Sequence, residues 1–253
     1  MSTVDCNESP GPKAGRAEHQ RERDHATVSV IIPTLNEAGN LPYVLNTIPS
    51  WVNEVIVVDG RSRDDTERIA KLLRPDAKVI HELTPGKGAA MKAGFNSASG
   101  DILIALDADG SMDGAQIGAF RDALLAGADY AKGSRFCEGG GSNDITRFRR
   151  FGDGGISFLL RVLFGARYSD VTYGFIGIWA DRLDALHLDS DGFEIETLIG
   201  IRARRARLRT TEVPCFEARR IHGISNLRAL HDGFRIVRVI LTERMRRYRG
   251  LAR

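Results

Sequence analysis

The sequence predicts an α/β protein with a mostly parallel sheet and helices on both faces, on three observations. Short apolar runs near residues 28–32, 54–58, 78–82 and 102–106 alternate with segments of helical periodicity, the pattern of strands joined by crossover helices. The fourth run, Ile102 to Leu106, is apolar at every position, which suits a strand covered on both faces. The connecting segments are short, and right-handed crossovers then place all the strand-to-helix turns on one edge of the sheet.

The elements follow in order. Residues 28–41, VSVIIPTLNEAGNL, give a strand, a stop at Pro33 and a polar turn carrying Asn36 and Glu37 before a helix over 41–48. EVIVVDG is a second strand ending at Asp59, and SRDDTERIAKLLRP follows as a helix with Ile69, Leu72 and Leu73 before Pro75. A weaker strand over 78–82 leads into the glycine-punctuated turn PGKGAAMKAGF and a helix to about Ala98. The fourth strand ends abruptly in Asp107, Ala108 and Asp109. A helix over 114–126 and a strand near 128–133 come next, then the segment CEGGGSNDITRFRRFGDGG. A loop of that length reads as a mobile lid or binding loop. GFEIETLIGIRARR places Ile195, Leu198 and Ile199 on one helical face with Glu194 and Glu196 near its start. The last stretch spaces Leu227, Leu230, Phe234, Val237, Leu241 and Met245 three or four apart, with Arg235, Arg238, Arg244, Arg246 and Arg247 between them. It is an amphipathic basic helix, by default packed on the domain with Arg outward, and otherwise suited to an anionic membrane surface.

Composition bounds the function. The 253 residues, 42% hydrophobic and 27% charged, suffice for one large domain. Cys6, Cys137 and Cys215 are odd in number and widely spaced, which indicates neither a disulfide framework nor a cysteine zinc site and fits a reducing cytoplasm. No run approaches the roughly 18 apolar residues that span a bilayer, and the amino terminus has no signal-peptide core. Residues 1–26 read as a disordered leader. The net charge of +3 conceals an asymmetry: 15 Arg and 4 acids lie in 202–253, leaving 21 basic and 29 acidic residues before it. Such a basic end attracts phosphates or anionic lipid, or is a solvated helical face.

One sheet edge therefore gathers Glu37, Asp59, Lys87 and Asp109. Acids ending the first two strands suit a base and ribose hydroxyls. Gly86-Lys87-Gly88 lets a backbone and a cation approach phosphate at a helix amino terminus. Asp107 and Asp109 crowd one turn, and a shared cation such as Mg²⁺ or Mn²⁺ relieves their repulsion; the bland alternative is that both are turn and capping residues. There is no Walker loop and no G-x-G-x-x-G after the first strand.

The blocks IIPTLNE, VVDGRSRDDT, GKGAAMKAGF and ALDADGS, in that order, resemble family 2 glycosyltransferases of the GT-A fold, particularly the dolichol- or polyprenyl-phosphate mannosyltransferase branch. The likeness covers about 28–244. It implies a GT-A domain over 27–226, with a nucleotide-sugar half (27–133) and an acceptor half (134–226), and the basic amphipathic helix over 227–253. It also implies that Pro33, Thr34, Glu37, Asp59 and Asp64 line the base and ribose, that Asp107 and Ala108 meet the nucleotide sugar with Lys87, and that Asp109 holds the metal. Arg135, Arg147 and Arg150 stand where the branch's acceptor-phosphate arginines stand, the alternative for the last two being a solvated helix start. DVTYGFIGIW (170–179) resembles the branch's D-x-T-x-G-F strand, with Tyr173 in place of a small residue. RIHGIS resembles its R-x-x-G-x-S-K loop through Arg220, Gly223 and Ser225, with Asn226 in place of Lys, and Ser111 stands where the branch often carries Gln. His222 is a candidate third metal ligand, and Glu194 the candidate base if the acceptor is a hydroxyl.

The leading expectation is a metal-dependent inverting transferase moving a hexose from GDP-mannose or UDP-glucose to polyprenyl phosphate, in the cytoplasm or at the inner face of the membrane. Asp109, Glu194 and Arg220 are its candidate catalytic residues. A soluble small-molecule acceptor is the alternative. A nucleotide-sugar pyrophosphorylase expects a glycine-rich, basic loop after the first strand, where this chain has PTLNEAGN. A nucleic-acid-binding role rests on the Arg-rich end alone, and nucleic acid is not expected as a partner.

Overall fold

Seven strands form one twisted sheet in the order Lys78–His81, Glu54–Asp59, Val28–Thr34, Ile102–Ala105, Ile176–Trp179, Tyr130–Ser134, Thr210–Pro214. The computed structural model describes Arg23, residues 25–223 and residues 229–246. Its first half alternates as expected: β1 (Val28–Thr34), α1 (Leu41–Thr47), β2 (Glu54–Asp59), α2 (Thr66–Leu73), β3 (Lys78–His81), α3 (Lys87–Ser97) and β4 (Ile102–Ala105). A 3-10 turn, Gly114–Gln116, then leads through α4 (Ile117–Leu125) to β5 (Tyr130–Ser134), β6 (Gly141–Ser142), α5 (Arg147–Phe164), β7 (Ile176–Trp179) and α6 (Ala180–Leu183). The described chain closes with α7 (Ile195–Arg205), β8 (Thr210–Pro214), β9 (Phe216–Glu217) and α8 (Ala229–Met245).

Side-chain alternation divides the core between the two faces. Val30, Ile32, Val57, Ile102 and Ile104 point to the layer holding α1 and α4, whereas Ile31, Ile56, Val58 and Leu103 meet α3, α7 and α8. The β1 pairings with β2 and β4 are parallel, so sequence order reverses between β1 and β4. That crevice, beyond the carboxyl ends of the strands, is where ligands of open α/β sheets bind. β7 runs antiparallel between β4 and β5, so residues 172–174, which precede it, arrive at the same edge that the other strands leave.

Three expectations are corrected. The glycine-rich segment is not a loop throughout: Thr146 Oγ1 accepts from the Arg149 N–H at 3.2 Å and starts α5, which ends at Gly165 in the left-handed region (φ 65°). Gly152, Gly154 and Gly155, which argue for a loop by propensity, face open space, while Ser157 and Leu160 are buried and hold the helix to the domain. Only the last four residues of 170–179 form a strand. In α8, Ile236 and Ile240 are buried, whereas Phe234, Val237, Leu241 and Met245 are exposed, so the apolar stripe faces outward rather than inward.

Order also begins before residue 27, since the Arg23 guanidinium lies 4.3 Å from the centre of the Trp179 ring. The remaining expectations for the leader, and those for Ser225, Asn226, Leu227 and Arg247, fall outside the described residues, as does the Leu230 side chain.

Candidate active site

A cleft enclosing about 210 Å³ opens at the β1/β4 edge, and its wall includes Pro33, Thr34, Glu37, Lys87, Asp107, Ala108, Asp109, Ser111, Arg135 and Arg220. Of the residues expected to bind nucleotide sugar or metal, Pro33, Thr34, Glu37, Lys87, Asp107, Ala108 and Asp109 converge here, with Arg135 expected at the acceptor and Arg220 among the catalytic candidates. They are joined by Arg149, Tyr173, Phe193, Glu196 and Glu217.

The loop after β1 is rigidly sewn. Asn36 takes a positive φ of 58°; its N–H donates to Ser62 Oγ and its Oδ1 accepts from the Arg63 N–H, both at 2.8 Å. Asp59 accepts from the Ser62 N–H through both oxygens, and Asp64 accepts from the Ala38 and Thr66 N–H groups. These two acids brace the loop, and neither is among the residues of the cleft wall. The bracing presents Glu37, whose carboxyl is pushed up by burial, against the lowering effect of Asn40 and Arg220.

Arg220 closes one side. Its NH1 donates to Glu37 Oε1 at 3.2 Å and its NH2 to Asp109 Oδ2 at 2.8 Å. The other Asp109 oxygen accepts from the Ser111 N–H at 2.9 Å, while the cap of the following turn is Asp113, which accepts from the Ala115 N–H. Asp109 thus makes a local turn contact and also faces the cleft, and Asp107 caps nothing. The segment of residues 218–221 lies along this turn, through Ala218 N–H to Ser111 O at 2.9 Å.

Lys87 closes the other side. Its ammonium sits between the Asp107 and Glu196 carboxylates; burial opposes the charge, but the two acids outweigh it and hold the pKa above the usual lysine range. Burial pushes the Glu196 carboxyl up. Gly174 makes this packing possible, because a Cβ there would lie 2.6 Å from Lys87 Nζ and 2.8 Å from an Asp107 oxygen. The glycines flanking Lys87 also admit a neighbouring backbone. A Cβ on Gly86 would meet Asp191 O at 2.1 Å, and the same carbonyl accepts from the Ala89 N–H at 3.1 Å. Residues 190–192 thus cap the amino terminus of α3, and it is the Lys87 side chain that faces the cleft.

The floor is a buried charge cluster. Arg135 donates through Nε to Asp170 at 2.7 Å, through NH1 to Glu217 at 3.1 Å and through NH2 to Asp153 at 3.4 Å. Burial works against its charge, but the acids raise its pKa further above the ordinary arginine value. Three carboxylates surround this guanidinium, which also belongs to the cleft wall. Tyr173 lies beneath it, 4.9 Å from ring centre to guanidinium, and the Tyr173 hydroxyl is buried with no hydrogen-bond partner among the described residues.

Four further candidates lie elsewhere. Arg147 is exposed on the first turn of α5 and Arg150 stacks over Phe136 at 5.3 Å, leaving Arg149 as the residue of that turn in the cleft wall. Helical rotation of 100° per residue separates the three. Glu194 points away to α8, accepting from Ser190 Oγ at 2.9 Å and from Arg235 at 3.0 Å. Glu196, two residues on, is the acid of this helix that reaches the cleft. His222 packs its ring against Gly39 and Tyr43, and its backbone pairs with the Asn40 side chain, so it does not join Asp107 and Asp109. Among the described residues no group of three His, Cys, Asp or Glu side chains is arranged to hold a metal.

Comparison with known proteins bears on this geometry. Residues 29–182 match the family described as Glycosyl transferase family 2. The chain is 32% identical to undecaprenyl-phosphate mannosyltransferase of Micrococcus luteus over 88% of its own length and 97% of the relative's. It is 31% identical to polyprenol monophosphomannose synthase of Mycolicibacterium smegmatis, over 94% and 98%. Among solved structures, glucosyl-3-phosphoglycerate synthase from Mycobacterium tuberculosis, in complex with Mn²⁺, UDP and glucosyl-3-phosphoglycerate, superposes with a TM-score of 0.70 at 22% identity, over 96% of this chain and 88% of that one. That likeness shows the GT-A fold. The chain belongs to glycosyl transferase family 2 and is a glycosyltransferase resembling its polyprenyl-phosphate mannosyltransferase branch.

Proposed function

We propose that this enzyme transfers a hexose, mannose or glucose, from a nucleoside diphosphate sugar to polyprenyl phosphate, with inversion and with Mg²⁺ or Mn²⁺ at Asp107 and Asp109. One observation carries the metal requirement. The cleft wall holds six carboxylates, from Glu37, Asp107, Asp109, Asp144, Glu196 and Glu217, against four cations, from Lys87, Arg135, Arg149 and Arg220. A formally negative cleft repels an anionic donor and an anionic acceptor alike, and a divalent cation neutralises that excess. The hard oxygens of Asp107 and Asp109 fit such an ion, whose further ligands come from water and the diphosphate.

The bound cation supplies charge neutralisation at the leaving diphosphate. Arg220 orients Asp109 while tied to Glu37, and Lys87 orients Asp107 while tied to Glu196; both bring positive charge to the same edge. Pro33, Thr34, Leu35 and Gly60 form the wall for the base. Arg149, 4.0 Å from its nearest acid Asp144, is the cleft cation least committed to a carboxylate and is the ligand for the acceptor phosphate. A phosphate dianion needs no general base. For a hydroxyl acceptor the base is Glu196, not Glu194.

The likeness to lipid-phosphate mannosyltransferases along nearly the whole chain supports the acceptor. No described helix is long and apolar enough to cross a membrane; in this reading the enzyme meets its lipid substrate peripherally, at the inner face of the membrane, with the basic side chains of α8 as a contact. A soluble phosphorylated acceptor is the competing reading, favoured by Tyr173 narrowing the cleft floor. Titration calorimetry of GDP-mannose and UDP-glucose, with and without Mn²⁺, on wild type and Asp109→Ala tests the donor site: binding of one donor that needs metal and Asp109 is expected, and no binding of either overturns the proposal. Extraction of labelled product into organic solvent then separates a polyprenyl product from a soluble one.

A further inference from the structure

One buried cation has no part in the chemistry described so far. Lys132 stands in the middle of β5, which lies between β7 and β8, and is 1% exposed. Among the described residues its ammonium donates to a single acceptor, the Tyr173 carbonyl, and forms no ion pair. Burial works against the charge more strongly than Asp170 and Glu196 favour it, and Arg135 and Lys87 add repulsion, so the pKa lies below the usual lysine range. Lys87, buried as well, is held above that range by its two carboxylates. The charge on Lys132 therefore costs folding stability, and an apolar side chain of the same length is neutral or stabilising at such a position. Local conflicts of this kind concentrate at functional sites.

The carbonyl that Lys132 holds belongs to the crossing segment of residues 172–174. Pairing between β5 and β7 reaches as far as the Gly133 N–H, which donates to Phe175 O at 2.8 Å. Beyond it, the lysine side chain meets the Tyr173 carbonyl in place of a backbone N–H. On one side of the crossing, Gly174 packs against Lys87 and Asp107. On the other, Thr172 Oγ1 donates to Asp153 at 2.9 Å and the Tyr173 ring lies beneath Arg135. The segment is thus a partition between the Lys87–Asp107 pair and the Arg135 cluster, and Lys132 ties it to the sheet.

We propose that Lys132 is a positioning residue for the transfer: by holding the Tyr173 carbonyl it fixes the 172–174 partition, and with it the placement of Asp107 and Lys87 for the donor. The inference rests on the donor site proposed above and extends it to a side chain that never touches substrate. Without the ammonium, the carbonyl turns toward cleft water and carries Gly174 away from its seat on Lys87 and Asp107. The lost hydrogen bond and the relief of a buried charge offset each other in stability, whereas only the first reaches the donor site. A lysine with a purely structural role behaves in the opposite way, since its loss lowers stability and leaves the folded fraction binding normally.

The test compares full-length wild type with Lys132→Met, which keeps the length of the side chain and removes its charge. The melting temperature of the variant is expected to equal or exceed that of wild type. Hydrogen exchange, measured with neither metal nor nucleotide sugar present, is expected to quicken at the amides of residues 172–175 and to stay unchanged in β4. Calorimetric affinity for GDP-mannose or UDP-glucose in the presence of Mn²⁺ is expected to weaken about tenfold or more. Lys71→Met, at an exposed lysine of α2, is expected to leave all three measurements unchanged. A clear fall in the melting temperature of Lys132→Met overturns the proposal, because the ammonium then serves stability. Unchanged donor affinity overturns it as well, as does unchanged exchange at 172–175. If wild type binds neither donor, the donor reading itself fails, and exchange alone decides whether Lys132 ties the partition: quickened exchange upholds the tie and unchanged exchange overturns it.

Discussion

Replacing Lys87 with Met removes the cation that two acids share at the heart of the cleft. The Lys87 and Glu196 side chains are 11% and 6% exposed, and Asp107 is 28% exposed. Removing one partner of a buried ion pair costs about 3–5 kcal/mol, because the other charge stays buried and uncompensated. The wetter Asp107 is less affected, so we expect about 3 kcal/mol. For a chain of this size 1 kcal/mol moves the melting temperature by about 2–4 °C, so the midpoint falls by about 6–12 °C at pH 8. The sign of the pH dependence follows from Glu196. Its folded-state pKa is already raised above 4.5 by burial, and loss of Lys87 raises it further. Stability from the neutral carboxyl is present below the unfolded pKa near 4.5 and is lost as pH rises through the folded one. The deficit is therefore small near pH 5 and full at pH 8. Adding Glu196→Gln to Lys87→Met removes the stranded charge and is expected to restore about half of the loss at pH 8. Thermal unfolding of the four proteins of this cycle at both pH values is the assay. An equal deficit at pH 5 and pH 8, with no rescue by Gln, refutes the argument that a stranded Glu196 carries the cost.

Three other outcomes are expected. Glu194→Gln weakens the clamp to Arg235 and lowers stability by about 1–2 kcal/mol, with kcat unchanged; a selective loss of kcat returns Glu194 to the catalytic group. Tyr173→Phe deletes a buried hydroxyl that lacks a partner, so denaturant midpoints stay level or rise by up to about 1 kcal/mol, and a clear fall shows that the hydroxyl is satisfied in solution. Gly174→Ala drives a methyl between Lys87 and Asp107; metal-dependent donor binding is expected to weaken at least about tenfold, and unaltered calorimetric affinity contradicts the packing described.

The first half of the fold was legible because each of its strands is a local apolar run and each helix shows its own stop. The second half was less so, for reasons that lie in packing. Three glycines in eight residues mask α5, whose buried Ser157 and Leu160 override that propensity. β7 is four residues long and depends on partners on both sides. In the site, Glu37, Lys87, Asp107, Asp109 and Arg220 were all legible, four from turns that topology gathers on one edge and Arg220 from the resemblance. That Glu196 rather than Glu194 reaches the cleft was not recoverable, since residues 195–203 of α7 are buried on every side and show no wet face to orient the helix. Nor was the fate of Arg135, because Asp153, Asp170 and Glu217 come from three separate segments. That Asp59 and Asp64 accept from backbone N–H groups of the loop was not legible either, since the loop's turns decide those contacts.

The antiparallel β7 has a consequence for how the chain is made. β4 pairs with β1 on one side and with β7 on the other, and roughly seventy residues separate the two partners β4 and β7 along the chain. During synthesis from the amino terminus, a four-stranded unit forms first and exposes the apolar edge of β4 until β7 leaves the ribosome. That edge, ILIA followed by the aspartates, is an aggregation hazard while it waits. Asp101 and Asp107 flank it on either side, so the carboxylate that faces the cleft in the finished enzyme also guards an unfinished sheet.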